Sequence, residues 1–115
     1  MKSTIAIIML LLSMQVLASP QDQMEKDLAV NVFNNNNSSK SDIAKSIIIF
    51  ERFSKYDDLM LYYLGKANYD LSTDLITLNK EKGLRYIEKA AVKGLPLAQY
   101  EYAMILFKEA KSKEA

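Results

Sequence analysis

The chain has no histidine, no cysteine and no tryptophan, and only three glycines and two prolines among 115 residues. Each absence removes a class of chemistry. Without histidine the commonest general base is missing, along with the only side chain that titrates near neutral pH when unperturbed. Without cysteine there is no thiolate nucleophile, no disulfide and no usual structural zinc site. Gly65, Gly83 and Gly94 lie too far apart to form a phosphate-cradling loop. A formal net charge of +1 lacks the basic excess of a nucleic-acid binder and gives no polybasic membrane patch. Carboxylates, serines and lysines remain, in no recognised catalytic or metal-loop arrangement. Asp57-Asp58 is the only adjacent acid pair. Consecutive helical residues do not face each other, and a helix N-terminus favours negative charge, so the pair reads as a cap. The expectation is a protein with no enzymatic activity, no cofactor and no metal.

What is present begins with an export signal. Lys2 is followed by the apolar run Ile5 to Leu12 and by modest or small residues at Val16-Leu17-Ala18, the pattern of a secretory signal peptide. This predicts a signal over residues 1–18, cleavage after Ala18, and a periplasmic or secreted protein. The run is far shorter than the roughly 20 apolar residues a spanning helix needs, so no stable membrane insertion is expected after cleavage. No cysteine follows it, which excludes a bacterial lipoprotein anchor. Lys2 is the only charge in the segment, so beyond Ala18 the 14 acidic side chains are matched by as many basic ones.

Beyond the signal the apolar spacing is helical. Ser19-Pro20 with Asp22 predicts a helix start, and Met24, Leu28 and Val32, with Ala29 and Phe33 beside them, an amphipathic helix over 19–33. The tract Asn34 to Ser39 favours turns over helix interiors and predicts a flexible linker over 34–40. Asn36-Asn37-Ser38 fits a glycosylation acceptor pattern, one common by chance. From Ser41 or Asp42, Ile43, Ile47, Phe50 and Phe53 step by three or four residues. The run Ile47-Ile48-Ile49-Phe50 would suit a buried strand, but its flanks are too long and too charged for one. Asp57-Asp58 caps a further helix through Leu61, Leu64 and Ala67. Asn79 caps the next, which Gly94 ends as a left-handed C-terminal residue, and Pro96 opens the last, running toward Lys111 before a frayed tail over 112–115.

An internal period links these helices. Tyr62-x-Leu64-Gly65-x-x-x-Tyr69 and Tyr100-x-Tyr102-Ala103-x-x-x-Phe107 align at an offset of 38 residues, which also places Ile49 on Ile87 and Lys55 on Lys93. Two copies of one helical hairpin result, over 41–70 and 76–111. The second, Ile76-x-x-Asn79-x-x-Lys82-Gly83-x-x-Tyr86-Ile87-x-Lys89-Ala90-Ala91-x-Lys93-Gly94-x-x-x-Ala98-Gln99-Tyr100, resembles the Sel-one-like repeat, a relative of the tetratricopeptide repeat. Asn79 stands for that family's usual acid, Gly83 for its alanine and Ala103 for its commonest glycine. The first copy keeps Leu64-Gly65 and Tyr69 but has Arg52-Phe53 in place of the paired alanines.

The resemblance implies an all-α fold, a short α/α solenoid of two Sel-one-like hairpins with an extra N-terminal helix. Ala90 and Ala91 would let two helices close up, Gly94 would turn the chain, and Ala98 and Ala103 would receive a neighbouring helix. It also implies protein–protein interaction, as an adaptor or scaffold in the bacterial periplasm. In such stacks the first helix of each hairpin lines the concave face. The outward positions there are Lys45, Glu51 and Arg52 in the first copy and Arg85, Glu88 and Lys89 in the second. Tyr62, Tyr69, Tyr86, Tyr100 and Tyr102 occupy repeat positions and read as packing, whereas Tyr56 and Tyr63 fall outside the stripe and read as surface contacts. The expected partner is another protein, and a homodimer is compatible with so few repeats. Two other readings stay open: a periplasmic immunity protein against a delivered toxin, and a cell-wall or peptidoglycan ligand binder using Tyr56 and Tyr63.

Overall fold

The computed structural model describes residues 19–71 and 78–114. The signal expected over 1–18 lies outside them, as does the start of the second hairpin at 76 and 77. The described residues form five helices and no strand: α1 (Pro20–Asn34), α2 (Lys40–Phe53), α3 (Asp58–Asp70), α4 (Lys80–Val92) and α5 (Pro96–Glu114). Each packs against the next along the chain. The fold is all-α.

Side-chain caps start the first four helices. Ser19 accepts from the Asp22 amide at 3.1 Å with Pro20 behind it, as the sequence predicts. The cap of α2 is Ser39, which accepts from the Asp42 amide at 3.1 Å. This starts α2 earlier than a cap at Ser41 or Asp42 would, and leaves Asp42 in the first turn, where its charge complements the helix dipole. Asp57 Oδ1 accepts from the Leu59 and Met60 amides, and Asn79 from that of Lys82. At the end of α4, Gly94 has φ of +99°. Its N–H donates to Ala91 O and that of Leu95 to Ala90 O, the paired bonds of a Schellman motif.

Two expectations change, and the asparagine tract forms a hydrogen-bonded turn: Ser38 Oγ donates to Val32 O at 2.7 Å and the Asn37 amide to Asn35 Oδ1 at 2.9 Å. Helix α1 packs through Lys26, Ala29, Val30 and Phe33, while Met24 and Leu28 face outward. The apolar stripe read from four-residue steps is thus partly solvent-facing, because the aromatic groove on α2 and α3 selects Phe33. Helix α5 continues to Glu114, where the charged composition predicts a frayed tail from 112.

The core runs through the stack. Phe50 and Ile87 are fully buried, with Met60, Leu64, Ala67, Ala90, Ala98 and Ile105 around them. Phe33 meets Phe50 and Tyr63 edge-on at centroid distances of 5.5 and 6.0 Å, and Phe50 stacks on Tyr63 at 5.4 Å. Backbones come close together where α3 meets α4. A β-carbon on Gly83 would lie 2.5 Å from Gly65 O, and one on Gly65 2.8 Å from Gly83 O. Small residues thus bring backbones together between the two predicted hairpins. Ala90 and Ala98 are buried as predicted, but Ala103 and Tyr100 are exposed. Both belong to the outer face of α5, on which no further helix packs among the described residues.

Candidate functional site

An open cleft of about 680 Å³ has walls from α2, α3 and α4. Helix α2 supplies Ala44, Ile47, Ile48, Glu51 and Ser54, and α4 supplies Lys82 and Tyr86; Leu64, Asn68 and Leu78 form the floor and end. The local reason lies in the run Ile47 to Phe50. Four consecutive helical residues point in four directions: Ile47 and Phe50 enter the core, Ile49 turns toward α1, and Ile48 is left 61% exposed on the cleft wall.

The polar groups of the cleft divide by role. Asn68 is buried and committed to structure: its Nδ2 donates to Leu64 O at 2.8 Å and its Oδ1 accepts from the Asn79 amide at 3.2 Å. It therefore ties α3 to the start of α4. Glu51 and Lys82 are exposed, one acid and one base on opposite walls. Lys82 Nζ lies 5.6 Å from the Tyr86 ring centroid. The arrangement offers apolar contact with a charge of each sign at the rim.

The candidate residues scatter. Glu51 lies on the cleft. Lys45 lines a separate shallow groove of about 280 Å³ between α1 and α2, with Glu25, Leu28, Asp42 and Ile49. Arg52 is bonded to Glu25 and lies 4.6 Å from the Phe53 ring centroid, so it ties α2 to α1. Arg85 and Glu88 lie on the solvent side of α4, and Lys89 continues the row of Lys82 and Tyr86 one turn on. Tyr56 is 86% exposed at the turn between α2 and α3. Tyr63 is only 9% exposed and sits among Phe33, Phe50 and Tyr62. It is a core residue and not a surface contact, because α1 covers a position that two hairpins alone would leave open. Asn34 Nδ2 donates to its hydroxyl at 3.5 Å.

Ile48, Leu78, Lys82 and Tyr86 were not legible as wall residues from outward charge alone. The signal for Ile48 was the excess of apolar residues in its run, one more than a single buried stripe can absorb. Two further polar ties join the elements. Lys26, 5% exposed, donates to Asp57 Oδ2 at 2.7 Å and lies 5.2 Å from the Phe53 ring centroid. Lys66 pairs with Glu101 at 3.3 Å and with Asp70 at 3.5 Å, joining α3 to α5. Burial, reinforced by Glu101, Tyr63 and Asp70, pushes the Tyr62 phenol well above its ordinary range. Among the described residues, no group of three or more acidic side chains comes together to hold a metal ion, and no helix is long and apolar enough to cross a membrane. Comparison with known proteins gives no match, whether to family models, curated proteins or solved structures.

Proposed function

We propose that the chain is an exported, non-enzymatic helical-repeat protein that binds another protein in the cleft between α2 and α4. In this reading the five helices are a short α/α solenoid of the Sel-one-like kind. Helices α2 and α4 are the concave-face helices of successive hairpins, and the protein works as a periplasmic or secreted adaptor. The observation that carries it is the exposed Ile48, opposite Tyr86 and flanked by Glu51 and Lys82. An apolar anchor site with a sparse polar rim suits a protruding side chain of a protein ligand, where a few buried contacts dominate affinity. Wall-ligand binding through Tyr56 and Tyr63 has less support, since Tyr63 is buried and Tyr56 stands alone.

Affinity capture from the exported fraction of the producing cell tests the proposal. Ile48→Asp introduces a charge on the cleft wall at a position whose exposure spares the core. The bound protein should be lost at least about tenfold while far-ultraviolet helicity is unchanged. Equal capture by wild type and variant would refute the assignment of the cleft.

A further inference from the structure

The offset of 38 residues makes a comparison between α3 and α5. Gly65 and Tyr69 meet α4, Tyr62 on the same face of α3 is buried, and the equivalent residues of α5 are Tyr100, Ala103 and Phe107. Tyr100 and Phe107 are 65% and 56% exposed, and Ala103 between them leaves a notch. Leu97 and Leu106 extend the apolar surface on either side. Helix α5 thus presents the same large–small–aromatic pattern as α3, with no cover among the described residues.

The first helix carries a matching surface. Met24 and Leu28, 73% and 64% exposed, stand one turn apart on the outer face of α1. Charge is complementary as well. The first two turns of α1 bear Asp22, Glu25 and Asp27, with the only base, Lys26, turned into the core. The final turns of α5 bear Lys108, Lys111 and Lys113 against Glu109 and Glu114, a small basic excess. Neighbouring helices alternate in direction: Asp58 at the start of α3 pairs with Lys93 at the end of α4, and Glu25 near the start of α1 with Arg52 near the end of α2. Adding an antiparallel α1 to α5 would continue that alternation and set the acidic end of one helix beside the basic end of the other. Two engagements qualify the charge match: Glu25 is already bonded to Arg52, and Lys111 lies 5.1 Å from the Phe107 ring centroid.

We infer that the outer face of α5 is a docking surface for α1 of a second copy of this chain, so that copies join head to tail and extend the helical stack. Leu28 of one copy fills the notch at Ala103, Met24 packs by Phe107, and the contact is heterologous. Such a contact adds copies without closing unless its rotation forms a ring. It uses the ends of the stack and does not depend on what occupies the cleft.

Sedimentation of the full chain, expressed with its own N-terminal segment and purified, tests this over a range of concentrations. Wild type should grow in mass with concentration, and less so at high salt. Leu28→Glu and Phe107→Glu should each be monomeric, since each loses one of the two faces. An equimolar mixture of the two should form a one-to-one pair that grows no further, because one intact α1 face meets one intact α5 face. Helicity of each variant is checked by circular dichroism, and Met24→Glu with Tyr100→Glu serve as a second pair should either variant unfold. A wild type that stays monomeric would overturn the inference and leave the face to a different protein or to another part of the same chain. Self-association of Leu28→Glu at wild-type strength would also overturn it, indicating α5 paired with α5.

Discussion

A methyl group on Gly83 would lie 2.5 Å from both the Gly65 carbonyl oxygen and the Tyr69 amide nitrogen, whereas one on Gly94 would meet nothing within 4 Å. The two glycines are required for different reasons, spatial in one case and conformational in the other, since Gly94 has φ of +99°. Gly83→Ala should destabilise the fold by about 1–3 kcal/mol through forced separation of α3 and α4, exceeding the helix-propensity gain of about 0.5–1 kcal/mol. Gly94→Ala should lose about 1–2 kcal/mol to left-handed strain, and Gly94→Asn should recover part of it, because asparagine tolerates that region. No residue larger than glycine should rescue position 83. Urea denaturation of the three variants distinguishes the cases, and equal losses for Ala and Asn at 94 would contradict the conformational account. Tyr62 supplies a pH dependence at the same scale. Its folded phenol is held above the ordinary value of 10.0 by burial first and by Glu101, Tyr63 and Asp70 next. The unfolded chain therefore releases this proton first. The stabilisation is complete below the unfolded pKa and is lost as pH rises through that value toward the raised folded one. Tyr62→Phe should flatten the fall in stability above about pH 10 relative to wild type, and an unchanged alkaline slope would contradict it.

Helix α1 belongs to the stack and is not an appended arm. Lys26 reaches Asp57, the residue that caps α3, while Phe33 meets aromatic rings from α2 and α3. The sequence placed this helix correctly at Ser19-Pro20, but four-residue apolar steps chose Met24 and Leu28 for its inner face. Periodicity identifies a stripe only when the residues that fill it are apolar. Here a lysine shares the inner face with Ala29, Val30 and Phe33, and two aliphatic residues, Met24 and Leu28, are left outside. Helix starts at Asp57 and Asn79 and the end at Gly94 were legible because their chemistry is local. Burial of Tyr63 was not, because it depends on a helix nearly thirty residues away, at Phe33. The cleft escaped outward-charge reasoning for the same reason: Ile48 and Tyr86 come together only through the packing of α2, α3 and α4. Lys26→Ala should cost about 1–3 kcal/mol by leaving Asp57 without its cation. It should also lower amide protection in both α1 and the first turn of α3. Loss of protection in α1 alone would mean that the tie does not couple the two elements.

At the scale of the whole molecule, the five described helices present an open cleft between α2 and α4 and, among the described residues, an uncovered face on α1 and on α5. Cleft and ends make separate demands: substitution at Ile48 should leave self-association intact, and substitution at Phe107 should leave partner capture intact. The most direct measurement of the central claim is hydrogen–deuterium exchange of the chain alone and with its captured protein partner bound. Protection should rise over residues 44–54 of α2 and 82–89 of α4, the two walls of the cleft. Protection confined to α5, with α2 and α4 unchanged, would contradict the assignment of the cleft as the binding site.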